Sequence, residues 1–273
     1  MPDSERTAIV RDVASDAVET IDGDPAAGLV VLCDHASNAL PPEYGDLGLP
    51  AGEFQRHIAY DIGAAALARR VAAALGVPAV LSRFSRLLID PNRGEDDPTL
   101  IMRLSDGAVV PGNARVDAAE RQRRLERYYV PYHTAVTRVL DAALATGRAP
   151  AILSVHSFTP AWKGRPRPWH AGILWDLDPR FAAPLIAALR ADGSLVVGDN
   201  EPYVGALKGD TLHRHGSLRG FAHALIEVRQ DLIADDTGTG EWAARLAPIL
   251  LRLKDDPALR TVRHFGSRSD GNS

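Results

Sequence analysis

Residues 151–157 read Ala151-Ile152-Leu153-Ser154-Val155-His156-Ser157, a nearly all-apolar run set off by Gly147 and Pro150. A run of this length and composition suits a strand buried on both faces of a parallel sheet. At its carboxyl end the chemistry changes at once to His156 and Ser157, then to a stretch holding Pro160, Gly164, Pro166 and Pro168. Open α/β sheets bind ligands outside the carboxyl ends of their strands, so an imidazole there is a candidate site residue. Alone, His156 is equally well read as a hydrogen-bonded core histidine. Three other strands expected in the chain end in the same way, and they tip the reading toward function.

The rest of the chain supports such a sheet. Its 273 residues are 45% hydrophobic and 24% charged, ample material for a core. Residues 29–33, 79–82, 87–90, 172–175, 195–197 and 223–228 are further apolar runs, with the segment at 87–90 leading into Pro91, Asn92 and Arg93. Helical patterns fall between them. The Ala-rich segment 57–75 is closed by Gly76, with Pro78 beyond it. Helices are also expected at 117–145, with Pro131 marking a kink or a new start, and at 179–191 and 241–254. A short amphipathic helix is expected around 8–20. Residues 94–116 and 198–220 read as irregular. Strands alternating with helices, without linker or repeat, give one three-layer α/β domain over 1–273, with a core at 28–254 and polar tails.

Composition also excludes partners. Net charge is −4, with both signs spread along the chain and no basic block, which gives nucleic-acid binding no support. No apolar stretch approaches membrane-spanning length and the amino terminus lacks a signal-peptide pattern, so a cytoplasmic protein without membrane contact is expected. The single cysteine, Cys33, sits in an apolar run and reads as a packed hydrophobe.

Four strand ends carry the chemistry. His35 follows the run at 29–33, Asn92 and Arg93 follow 87–90, His156 ends 151–155, and Glu227 lies near the end of 223–228. In one parallel sheet these side chains emerge along a single edge. Two imidazoles and a carboxylate suit a catalytic zinc, although another divalent ion would also fit. The metal acidifies a water and polarises a carbonyl, a glutamate such as Glu227 moves the proton, and Arg93 offers a fork for a substrate carboxylate. The competing reading pairs Glu227 with Arg229, two residues along the same strand face.

The phrases Cys33-Asp34-His35-Ala36-Ser37-Asn38, Ser85-Arg86-Leu87-Leu88-Ile89-Asp90-Pro91-Asn92-Arg93, Val155-His156-Ser157-Phe158-Thr159-Pro160 and Ile226-Glu227-Val228-Arg229-Gln230-Asp231 occur in that order. With them the chain resembles the N-formylglutamate amidohydrolases from about residue 29 to 242. That family looks related to the zinc carboxypeptidases and to the desuccinylase and aspartoacylase enzymes. The resemblance implies that His35 and His156 bind zinc, that Glu227 is the general base, that Arg93 orients the substrate, and that the fold is a three-layer α/β/α one whose central mixed, mostly parallel sheet is flanked by helices.

One position departs from the carboxypeptidase pattern, which has glutamate three residues after the first histidine where this chain has Asn38. A carboxamide is a poor zinc ligand, so the third ligand is sought elsewhere. Asp61 is the choice, an acid among Ile, Ala and Gly that would be costly to bury unpaired. His57, one helical turn earlier on the expected helix, is the alternative ligand or a supporting partner. Asp61 paired with Arg86 is the plain structural alternative. Arg86 is otherwise a second carboxylate grip or a support for Asp90, and His213 and His215 are loop candidates for contacting the tetrahedral intermediate.

The expected activity is zinc-dependent hydrolysis of a small-molecule N-acyl amino acid, N-formyl-L-glutamate first. The alternatives are a deacylase of another N-acyl compound and a non-catalytic binding protein on the same fold. Oligomeric state stays open.

Overall fold

The computed structural model describes residues 17–270. Its seven-stranded sheet is built from β1 (Val18–Ile21), β2 (Leu29–Cys33), β3 (Ala79–Ser82), β4 (Ala151–Phe158), β5 (Ala171–Leu174), β6 (Val197–Asp199) and β7 (His223–Arg229). Across the sheet they run β1-β3-β2-β4-β7-β5-β6. Pairs β2/β3, β2/β4, β4/β7 and β5/β6 are parallel, while β1/β3 and β5/β7 are antiparallel. The architecture is a mixed, mostly parallel α/β sheet covered on both faces.

Alternation along the strands divides the core. Val31, Leu153, Val155, Ala224 and Ile226 pack under the helices Ala64–Leu75, Pro179–Arg190 and Asp236–Leu253. Val30, Leu32, Ile152 and Leu225 face Tyr132, Val136 and Leu140 of the helix Val130–Leu144. Burial on both sides accounts for strands that read as continuous apolar runs. Helix starts are fixed by Asp117, Asp178 and Asp235, whose side chains accept from Glu120, Arg180 and Gly238 backbone N–H groups.

Several elements differ from the expectations. The helix expected at 57–75 begins only at Ala64, because Gly63 at φ 79° lies outside helical space. His57 and Asp61 therefore occupy turns and do not share a helix face. Residues 87–90 are not a strand: Leu88 N–H donates to the Ser85 carbonyl at 3.0 Å in a buried turn. A fully apolar run carries no period that distinguishes the two. The excursion at 94–116 contains the hairpin Leu104–Ser105/Ala108–Val109, and the stretch at 198–220 contains the short helix Thr211–His215. The last helix starts at Asp236 rather than 241, and the strand expected at 195–197 lies at Val197–Asp199. Of the helix expected at 8–20, residues 8–16 lie outside the described residues, and Val18–Ile21 is strand β1. Among the described residues no helix is long and apolar enough to cross a membrane.

Candidate active site

The carboxyl ends of β2, β4 and β7 lie side by side and point the same way. His35 sits two residues past β2, His156 is the third residue from the end of β4, and Glu227 on β7 is its register partner. Asp61 arrives from the turn before Gly63, held there by its own N–H donating to the His35 carbonyl at 2.9 Å.

All four side chains are buried yet line one cavity of about 300 Å³. His156 Nδ1 lies 2.8 Å and His35 Nδ1 3.4 Å from the same oxygen, Asp61 Oδ2. The two rings meet edge to face with centroids 5.0 Å apart. Each remaining ring nitrogen rests on a separate carboxylate: His35 Nε2 on Asp90 Oδ1 at 2.7 Å, and His156 Nε2 on Asp34 Oδ2 at 2.9 Å. One atom each from His35, Asp61 and His156 fall within 4.8 Å of one another, a buried group able to hold a metal ion.

The flanking acids are themselves saturated. Asp34 Oδ1 accepts from Tyr132 Oη at 2.8 Å and Thr211 Oγ1 at 2.5 Å, and Oδ2 accepts from Ser154 Oγ at 3.0 Å. Asp90 Oδ2 accepts from Arg86 Nη2 at 2.7 Å, and Asp90 Oδ1 also accepts from Asn92 N–H at 2.9 Å. Burial pushes both carboxyls up, but the imidazoles, with Arg86 at Asp90, outweigh it and hold them well below the usual carboxylate range. Burial likewise pushes His156 down, and Asp34 and Asp61 on its two nitrogens more than reverse this, raising it well above an ordinary histidine.

Glu227 behaves oppositely. Its Oε2 is buried with no hydrogen-bond partner among the described residues. Burial pushes its carboxyl up to about 7, with His156 opposing and Asp61 adding to the rise. The expected competitor for it, Arg229, instead holds Asp231 at 2.7 Å.

Arg93 and Asn92 both line the cavity. Arg93 donates to the Asn92 carbonyl and to Thr99 Oγ1, and no carboxylate among the described residues pairs with it. Asn92 Oδ1 accepts from Thr211 N–H at 3.1 Å. Arg86 also lines the cavity, but its guanidinium is committed to Asp90 and stands 3.7 Å from Asp61 Oδ1. The Asp61–Arg86 pairing considered from sequence thus coexists with the Asp61–histidine cluster.

His213 and His215 do not join this group. His213 Nδ1 accepts from Gly209 N–H at 3.3 Å and Nε2 meets Asp270 Oδ1 at 3.2 Å. His215 stacks on His133, its Nε2 2.9 Å from His133 Nδ1, beside a separate surface depression with Thr137 and Arg219. Both turn away because the helix Thr211–His215 presents Thr211 to the site. Asn38 donates to the Phe54 carbonyl at 2.8 Å, outside the site. His57 lines the cavity mouth, its Nε2 3.5 Å from Asp106. Ser157 Oγ donates to the Ile62 carbonyl and has no histidine partner.

Sequence reasoning assigned no role to Asp34, nor to the Ser154, Tyr132 and Thr211 hydroxyls around it. The cost of burying an unpaired acid, applied to Asp61, applies equally to Asp34 and Asp90 at the ends of apolar runs. Asp210, also in the cavity wall, is pushed up to about 7 by burial.

A sequence model of the family described as N-formylglutamate amidohydrolase matches residues 27–234. Among solved structures, the gene product Atu2144 from Agrobacterium tumefaciens is 34% identical, with a TM-score of 0.82 over 89% of this chain and 96% of that one. An N-formylglutamate amidohydrolase from Ralstonia eutropha JMP134 is 23% identical, with a TM-score of 0.67 over 89% of this chain and 98% of that one, a likeness of fold. No curated protein matches the chain.

Proposed function

Because the chain belongs to the N-formylglutamate amidohydrolase family and is a hydrolase acting on an amide, we propose that this cavity cleaves N-acyl amino acids with a divalent metal ion, zinc in the first instance. N-formyl-L-glutamate, yielding formate and L-glutamate, is the first substrate to test. The observation that carries the reading is the convergence of His35 Nδ1 and His156 Nδ1 on Asp61 Oδ2, with the opposite nitrogen of each ring on Asp90 or Asp34.

The donor set fits the ion. Atoms bound at about 2.0–2.2 Å to one ion lie about 3 Å apart, and the two histidine contacts to Asp61 measure 3.4 and 2.8 Å. A carboxylate behind each imidazole fixes the tautomer and strengthens the ligand. His35, His156 and Asp61 would hold the ion, which when bound lowers the pKa of water and polarises the amide carbonyl.

The protein's own groups do the rest. Glu227, with one carboxylate oxygen unpartnered in the cavity, takes the proton of the attacking water and delivers it to the departing nitrogen. Arg93, in no ion pair among the described residues, grips a substrate carboxylate, and Asn92 orients beside it. Arg86 keeps Asp90 ionised, its guanidinium committed there rather than to the substrate.

The test is metal content together with hydrolysis. Purified protein should carry close to one equivalent of a divalent ion, release amine from N-formyl-L-glutamate, lose that activity on chelation and regain it on zinc addition. Hydrolysis untouched by complete metal removal would overturn the reading.

A further inference from the structure

Arg167 is a buried arginine with no acidic partner among the described residues. It follows the hairpin Ala161–Trp162/Arg165–Pro166 and is only 9% exposed. Its guanidinium lies 5.0 Å from the Tyr203 ring centroid, 5.5 Å from Trp162 and 5.6 Å from Phe158. Nη1 donates to Thr159 Oγ1 and Tyr203 Oη, each at 3.1 Å, and to the Thr159 carbonyl at 3.3 Å. Nε and Nη2 have no partner among the described residues.

The buried Arg124 and the partly buried Arg180 and Arg86 are built differently. Arg124 holds Glu120 at 2.8 Å, Arg180 holds Asp178 at 2.6 Å and Arg86 holds Asp90 at 2.7 Å. A guanidinium taken out of water is costly unless an anion meets it, and its planar fork matches a carboxylate. Three aromatic faces hold the Arg167 cation in place without neutralising it.

Its location supplies the anion. Three of the four residues packed around the guanidinium, Phe158, Thr159 and Tyr203, line the cavity containing His156 and Glu227, and Arg167 stands directly behind them. Among the residues lining that cavity, Arg86 is consumed by Asp90, which leaves Arg93 to meet one carboxylate. Asp210 and Glu227 in the same wall would repel a second carboxylate placed without its own cation.

We propose that Arg167 is a specificity-determining residue, its caged fork receiving the side-chain carboxylate of an N-acyl dicarboxylic amino acid while Arg93 takes the other. The proposal rests on reading the cavity as the amide-cleaving site.

Two compounds differing in one charge test it. Metal-loaded wild type, Arg167→Met and Arg167→Lys are compared on N-formyl-L-glutamate and N-formyl-L-glutamine. The wild type should favour the glutamate compound. Arg167→Met, which fills the cage without charge, should raise KM for it by about 10- to 100-fold, as for a lost hydrogen bond to a charged group. Its kcat should change little, KM for the glutamine compound should hold, and Arg167→Lys should recover part of the preference. Equal losses on both compounds, or a preference surviving in Arg167→Met, would overturn the proposal. Should Arg167→Met fail to fold, Arg167→Gln, equally uncharged, is judged on the same criteria. Calorimetric binding of L-glutamate against L-glutamine separates the two readings. A charge preference that depends on Arg167 without hydrolysis sinks only the catalytic reading. Hydrolysis of both formyl compounds with no charge preference in wild type sinks only the Arg167 proposal.

Discussion

Glu227 lies directly beside His156 across the parallel pair β4/β7, so the proposed proton-transfer group and a prospective metal ligand are held in register by backbone hydrogen bonds. Rigid neighbouring strands give such a pair the positional precision that loops do not. Glu227→Gln keeps the shape and removes the basicity. The variant should bind metal as the wild type does and lose about 10²- to 10⁴-fold in kcat. Turnover within a few-fold of wild type, measured with metal content confirmed, would remove Glu227 from the mechanism.

Asp34 satisfies His156, Ser154, Tyr132 and Thr211 at once. Replacing it by Ala removes a buried partner from each of the four and leaves Tyr132 Oη with none among the described residues. Denaturant unfolding should show a loss of about 3–5 kcal/mol, and metal affinity should fall by about 10- to 100-fold. An Asp34→Ala protein as stable as wild type would mean that this network carries no net stability.

Metal uptake should depend on pH with a definite sign. In the ion-free protein His156 is raised well above an ordinary histidine by Asp34 and Asp61 acting against burial. A raised folded-state value stabilises the ion-free fold below the unfolded pKa of about 6.5, and the benefit is lost as pH climbs through the folded value. An ion must displace that proton, so apparent affinity should increase from about pH 6 to pH 8 with protons released. Calorimetry in buffers of different ionisation enthalpy counts them. A count of zero across that range contradicts the protonated state described here.

Gly63 adopts φ 79°, and a Cβ there would lie 2.0 Å from the Ile233 carbonyl oxygen just beyond β7. Gly63→Ala should cost more than about 2 kcal/mol through strain and displacement of that backbone. Asp61 is two residues away, so metal affinity should fall in parallel. A stability change under about 0.5 kcal/mol would show that the turn relaxes freely.

His213→Ala and His215→Ala separate packing from chemistry. Neither side chain reaches the cavity, so kcat/KM of each folded variant should stay within about twofold of wild type. His215→Ala breaks the buried contact with His133 and should lose about 1–3 kcal/mol of stability. A large fall in kcat/KM for either variant would return it to the substrate site.

The strands that end at His35, His156 and Glu227 were legible because burial on both faces leaves long apolar runs, and the abrupt polar residue at each end stands out against them. The run at 87–90 looks the same in sequence but folds as a buried turn, since periodicity vanishes when every position is apolar. The cost of burying an acid singles out Asp61, but the Ala-rich stretch reads as helix through it, because Gly63 does not announce its positive φ. Asp34 stayed silent for another reason. Its partners Tyr132, Ser154 and Thr211 are 98, 120 and 177 residues away, and only the folded chain brings them together. Arg167 was likewise unmarked, since an arginine in a Pro-rich turn reads as solvated until its aromatic neighbours are seen.

His35, Asp61 and His156 come from segments separated by 26 and 95 residues. An unfolded chain therefore offers no pre-gathered set of donors, and any ion captured by these three side chains acts as a rivet driven through already assembled parts. Its full affinity then counts toward the native state, and apparent melting temperature should track free ion concentration by mass action. On this reading a cell short of the ion would hold less folded protein as well as less active protein.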